Sequence, residues 1–187
     1  MTALLILLGV LVVLAFWAIS KYNLLVKLRN NRENAFADID VQLKQRHDLI
    51  PQLVATVKGY ASHEKETLDM VVSARTGAIN ARNIDEKIVA ENALSSALAG
   101  LKVTVEAYPD LKANTNFMQL QEEISDIENK LAAVRRYFNS ATKELNTAVE
   151  MFPGNIIAGM FGFHKEMMFD LGVPERKVLE QAPQINF

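Results

Sequence analysis

The sequence predicts an all-α protein: a single N-terminal transmembrane helix followed by an elongated antiparallel bundle of three or four helices. Three observations carry this expectation. The chain opens on an uninterrupted apolar run, "MTALLILLGVLVVLAFWAIS". From residue 117 to 152, apolar residues recur at alternating spacings of three and four without a miss. No stretch of period two is bounded by turn residues, so strand signals are absent.

The first segment, 1–20, reads as the anchor. Residues 3 to 19 are apolar apart from Gly9, and a helix of that run with its neighbours measures roughly 30 Å, the thickness of a bilayer core. A secretory signal would carry a positive leader and a small-x-small cleavage site. Here no Lys or Arg precedes the run, and Trp17 separates Ala15 from Ala18 at the wrong spacing, so retention is expected. The competing reading is a buried core helix. Phe16, Trp17 and Tyr22 fall where the helix leaves hydrocarbon, the level that amphipathic rings prefer. Lys21, Lys27, Arg29 and Arg32 follow with no acid before Glu33. That bias places the bundle in the cytoplasm and the N-terminus outside. Each of the four charges would add roughly 1 kcal/mol of attraction to an anionic lipid surface when close to it. The expected membrane-interface residues are therefore Trp17, Lys21, Tyr22, Lys27, Arg29 and Arg32.

The second segment, 21–152, reads as the long-helix bundle. Phe36, Ile39, Leu43, Ile50, Leu53, Val57, Ala61, Leu68 and Val71 lie near one stripe, interrupted at Pro51. Because "RHDLIPQLV" holds no cluster of loop residues, one long helix kinked at Pro51 is favoured, with a hairpin there as the alternative. A second helix spans 85 to 107, capped by Asp85, with Leu94, Leu98, Leu101 and Val105 on one face. "YPDLKAN" then turns the chain. The third, from Asn114 or Thr115 to residue 152, would be a rod of about 57 Å at the usual helical rise. Its seam runs Phe117, Leu120, Ile124, Ile127, Leu131, Val134, Phe138, Ala141, Leu145, Ala148 and Phe152. It stops before Pro153 and Gly154.

The third segment, 153–187, changes character. "NIIAGMFGF" and "MMF" are apolar, broken by Gly, and too short to span a bilayer. The expectation is that they pack on the bundle; the alternative is a surface that dips into the lipid interface or receives a partner. "APQINF" is expected to clip against the bundle.

The composition excludes several function classes. A formal charge of −2 supplies no basic field for a phosphate backbone, so nucleic acid is set aside. With no Cys there is no disulfide, thiolate nucleophile or zinc–thiolate site. His47, His63 and His164 stand in no HExxH or ExxH arrangement, which leaves metal ligation without a pattern. His63 reads as a surface residue, because Thr67 replaces the second ligand. "GNIIAGMF" has phosphate-loop spacing, but Met160 and Phe161 stand where Lys and Ser/Thr would hold phosphate and magnesium. Glu122, Glu123, Asp126 and Glu128 flank the seam as a solvated face, with Asp126 four residues before Lys130; Asp40 relates to Lys44 in the same way. No catalytic, cofactor or metal residue is expected, and no cofactor.

The blocks "YNLLVKLRNNRENAFADIDVQLKQRHDLIPQLVATVKGYASHE", "YPDLKANTNFMQLQEEISDIENKLAAVRRYFNSATKELN" and "FPGNIIAGMFGF" resemble the bacterial LemA family over almost the whole chain. The resemblance implies an all-helical protein with one N-terminal transmembrane helix and most of its mass in the cytoplasm. A relative among magnetosome proteins implies a part in membrane organisation. Some family members sit beside envelope-protease genes. No catalytic residue is known for the family, so none carries over.

The expected function is a non-enzymatic membrane-anchored scaffold in membrane or envelope organisation that self-associates. The alternative is an adaptor or regulator of a membrane-bound envelope-stress enzyme such as a protease. The expected partners are lipids, further copies of the chain and a membrane protein. The candidate partner surface comprises the polar residues Asn30, Asn34, Asp38, Asp40 and Arg46 beside Arg29, and the patch Phe152, Ile156, Ile157, Met160, Phe161 and Phe163.

Overall fold

The computed structural model describes residues 1–169; the clip expected of "APQINF" lies outside the described residues. Six helices follow one another: α1 (Thr2–Tyr60), α2 (Lys65–Asn80), α3 (Ile84–Val105), α4 (Pro109–Lys112), α5 (Thr115–Glu150) and α6 (Gly154–Met160). No strand occurs among the described residues. The chain divides into two compact units, and both α1 and α5 contribute to each.

One unit, Ala37–Arg136 with Met168 and Phe169, is a four-helix bundle. α1 leaves helical conformation at Ala61, and four residues later α2 sets off in the opposite direction, as the contact between Arg75 and His47 requires. α3 runs beside α1 in the same sense, since Lys87 pairs with Asp40 near one end while Leu101 joins Leu53 in the core near the other. α5 descends again: the Asn114 amide donates to the Tyr60 hydroxyl at 2.9 Å, and Arg46 meets Glu128 further along. The result is up-down-up-down packing with short connections. Its core gathers Ile50, Leu53, Val57, Leu68, Val71, Leu94, Leu101 and Phe117 among others.

The ends of these helices follow local chemistry. Asn83, not Asp85, caps α3: its side chain accepts from the Glu86 amide at 2.8 Å, and Glu86 reaches back to the Arg82 N–H and the Asn83 amide. This is a variant of the capping box, in which Glu86 takes the N–H of the residue before the cap instead of the cap's own. Asn114 caps α5 by accepting from Phe117 N–H at 3.0 Å. The "YPDLKAN" turn holds the single-turn α4, with Pro109 at its first position and Leu111 buried.

The chain stays helical through Pro51, so the hairpin alternative does not occur. A proline in a helix interior removes the N–H that would bond the carbonyl four residues earlier. Here that carbonyl belongs to His47. Arg75 of α2 donates its Nε–H to it at 2.8 Å, and so replaces the missing donor from a neighbouring helix. The true break comes ten residues later, at 61–64, inside the stripe that runs on to Leu68 and Val71.

The other unit comprises Met1–Phe36 and Tyr137–Met167. The C-terminal part of α5 lies along α1, with Tyr137 bonded to Asn31 and Phe138 set edge-on to Phe36 at 5.7 Å. α5 ends at Glu150, which takes Phe152 off the helix and out of the seam; it is 78% exposed. α6 then folds onto α1, burying Ile157 and Ala158 against Leu25 with Trp17, Ala18 and Phe163 around them. Two glycines permit the return. A Cβ at Gly154 would lie 3.1 Å from the Ala148 carbonyl oxygen. Gly162 has φ +72°, and the next amide, Phe163, bonds the Ala158 carbonyl at 2.9 Å in a Schellman closure.

Candidate membrane interface

Every residue from 1 to 16 of α1 is exposed, and this stretch contains no Asp, Glu, Lys or Arg. α1 carries a window of this kind long and apolar enough to cross a bilayer, with none of it buried. A run of exposed apolar side chains from Ala3 to Phe16, broken only by Gly9, would be a large unfavourable surface in water, so its natural solvent is hydrocarbon. α3 passes the same length and composition test, but it carries Glu91 and Lys87 and packs Ile88, Leu94 and Leu101 into the bundle core; it is a core helix.

Beyond the apolar stretch, the expected interface residues separate into two groups. Trp17 is half-buried against the α6 cluster, and Tyr22 stacks obliquely on Phe161 at 4.7 Å and edge-on to Phe163 at 6.0 Å. Lys27 and Arg29 are exposed and Lys21 is half-buried; Arg29 also lies over the Phe163 ring at 5.3 Å. Arg32 departs from the expectation. It is 4% exposed, pairs with Glu166 at 3.2 Å, donates to the Met167 carbonyl and lies 5.0 Å above the Phe138 ring. Its charge is satisfied inside the unit and is not presented to lipid headgroups.

The candidate partner surface also divides. Asn30 and Asn34 are exposed and line a shallow groove with Asn23, Lys27, Asn31 and Glu144. In the four-helix unit Asp38 is exposed, while Asp40 pairs with Lys87 of α3 rather than with Lys44. In the patch, Phe152, Ile156, Met160 and Phe161 are exposed, whereas Ile157 is buried against Leu25 and Phe163 is half-buried.

Arg46 is the clearest correction, for it is fully buried and no surface residue. It pairs with Glu91, also fully buried, and donates to Glu128 at 2.6 Å and Ser95 at 3.1 Å. His47 Nε2 donates to the second Glu91 oxygen at 2.7 Å. Burial alone would push the Glu91 carboxyl up, but the His47 hydrogen bond and the Arg46 guanidinium outweigh it and hold the group below the usual carboxylate range. Both oxygens of an ionised Glu91 are thereby occupied, so the cluster is a latch joining α1, α3 and α5 rather than a proton-transfer site. Glu128, read from sequence as part of a solvated face, belongs to this latch.

Glu91, His47, Ser95 and Arg75 escaped the sequence reading, yet a signal was present. The α3 stripe extended one step back from Leu94 lands on Glu91, and the α1 stripe has a gap between Leu43 and Ile50 that Arg46 and His47 fill. Two opposite charges at core positions of two helices are a pairing signal. Among the described residues no group of three or more His, Asp or Glu side chains is arranged to hold a metal ion.

Residues 35–187 match the sequence profile of the LemA family. The chain is 26% identical over 163 residues to Protein LemA of Metamycoplasma hominis, covering 86% of this chain and 74% of that protein. It is 21% identical over 189 residues to Magnetosome protein MamQ 2 of Paramagnetospirillum magneticum, covering 86% and 70%. It is 22% identical over 175 residues to Magnetosome protein MamQ of Magnetospirillum gryphiswaldense, covering 80% and 64%.

Proposed function

The chain belongs to the LemA family, and from that premise we propose that it is a non-enzymatic scaffold, anchored in the bacterial inner membrane by α1 and acting in membrane or envelope organisation through self-association. The observation that carries this reading is the wholly uncovered apolar start of α1, followed by a stretch whose charges are positive until Glu33. Positive flanks are retained on the cytoplasmic side during insertion, which puts the N-terminus outside and the chain after the spanning segment in the cytoplasm. Arg32 still counts toward that bias, because insertion acts on the chain before the Arg32–Glu166 pair exists. Relatives bearing the name of magnetosome proteins support a role at a membrane surface.

Anchoring confines the chains to two dimensions, where weak lateral contacts gain from high effective concentration. The groove beside Asn30 and Asn34 is the contact surface in this reading, being polar, exposed and near the anchor. The chain has no Cys, so Asn34→Cys places one unique thiol there. Thiol crosslinking in intact membranes at native abundance is expected to give a dimer of the chain. A monomer-only profile overturns self-association, and a single adduct with another membrane protein favours the adaptor reading. Replacing Lys21, Lys27, Arg29 and Arg32 by Glu is expected to invert or scramble topology; unchanged protease protection would refute the orientation.

A further inference from the structure

We propose that residues 151–163 form a lipid-dipping wedge, seated in the headgroup layer on the side of the bilayer where α1 emerges; this rests on α1 spanning that bilayer. These thirteen residues, "MFPGNIIAGMFGF", contain no charge. The excursion is stapled at its base by Lys165 and Glu150, 2.5 Å apart. One face of α6 is spent on the fold, with Ile157 and Ala158 packed on Leu25. The other is uncovered: Phe152, Ile156, Met160 and Phe161 are all more than half exposed. A patch of that kind on a short charge-free excursion needs an apolar environment.

Its position identifies the occupant. Lys21, Leu24 and Leu25 of α1 border a small cavity whose other wall is Met151 to Gly154. Trp17 and Ala18, in the last apolar turn of α1, pack into the same cluster as α6. Eight residues of helix rise span about 12 Å between Trp17 and Leu25. The exposed apolar side chains are thus continuous with the spanning segment and lie at the level where interfacial helices bury their apolar face by about 5–10 Å. The aromatic set Trp17, Tyr22, Phe161 and Phe163 belongs at that depth, and Arg29 over Phe163 marks its aqueous limit. Lipid is therefore the occupant, and apolar contact rather than headgroup charge drives it.

The test uses the full chain in vesicles of phosphatidylcholine and phosphatidylglycerol, with an environment-sensitive fluorophore on single thiols at Met160→Cys, Phe152→Cys, Val10→Cys and Ser140→Cys. Val10 reports the anchor and exposed Ser140 reports water. The probes at Met160 and Phe152 are expected to be quenched by brominated lipids several-fold more than the probe at Ser140, and to be shielded from aqueous acrylamide. If the Val10 probe is lipid-quenched while Met160 and Phe152 behave like Ser140, the wedge is overturned and the anchor stands. Shielding from both quenchers means that protein covers the patch, which also overturns the wedge. A Val10 probe insensitive to brominated lipid removes anchor and wedge together.

Discussion

Arg75 should matter chiefly because Pro51 is there. The perturbation is Arg75→Met, which keeps the aliphatic stem and removes the Nε–H that the His47 carbonyl accepts at 2.8 Å. Hydrogen bonds with a charged donor contribute about 1.5–3 kcal/mol. Because this one is partly buried, the lower end applies, and Arg75→Met should destabilise the four-helix unit by about 1.5 kcal/mol. In a Pro51→Ala background residue 51 regains its N–H, the helix can satisfy its own carbonyl, and the same substitution should cost about 0.5 kcal/mol. The double-mutant cycle should therefore show a coupling of about 1 kcal/mol. Urea denaturation of the detergent-solubilised chain measures it, and hydrogen exchange localises it: amides of residues 52–60 should exchange up to about tenfold faster in Arg75→Met alone. Additivity within about 0.3 kcal/mol, or an Arg75→Met variant as stable as the parent, would refute the donor-replacement argument.

The buried latch makes a second prediction. Glu91→Gln strands the fully buried Arg46 and should cost about 3 kcal/mol, whereas pairing Glu91→Leu with Arg46→Met should recover much of that loss. Because the folded Glu91 pKa lies below its unfolded value, near 4.3 for a free Glu, its contribution is complete above that pH and is lost as pH falls toward the lower folded value. Denaturation midpoints measured below about pH 4.5 should fall less steeply for Glu91→Gln than for the parent. In the unit of Met1–Phe36 and Tyr137–Met167, Phe138→Ala removes a fully buried ring that contacts Phe36 and Arg32 and should cost about 3–5 kcal/mol, read as a lowered thermal midpoint.

The seam of α5 was legible because burial and helical period coincide there: Phe117, Leu120, Ile127, Leu131, Phe138, Ala141 and Leu145 are all buried. Its end was misplaced by one step at Phe152, because periodicity keeps counting after backbone geometry has stopped the helix at Glu150. The break at 61–64 was missed because Ala61 and Leu68 remain near the same stripe on both sides of the turn. Of the expected interface and partner-surface residues, Tyr22, Lys27 and Arg29 are exposed. Arg32, Arg46 and Ile157 are not, because each meets a partner distant in sequence: Glu166, Glu91 and Leu25.

What the sequence determined by itself is therefore local or periodic: an apolar run of hydrocarbon length, the sign of the charges that follow it, and the helical period. These depend on neighbours within one or two helical turns, and such distances are visible in one dimension. Tertiary structure alone decided which charges are spent internally, how a proline survives within α1, and which face of α6 is left uncovered. Each is settled by an atom brought from another helix, as when the Arg75 guanidinium, 28 residues from His47, supplies its carbonyl with the hydrogen bond that Pro51 cannot make.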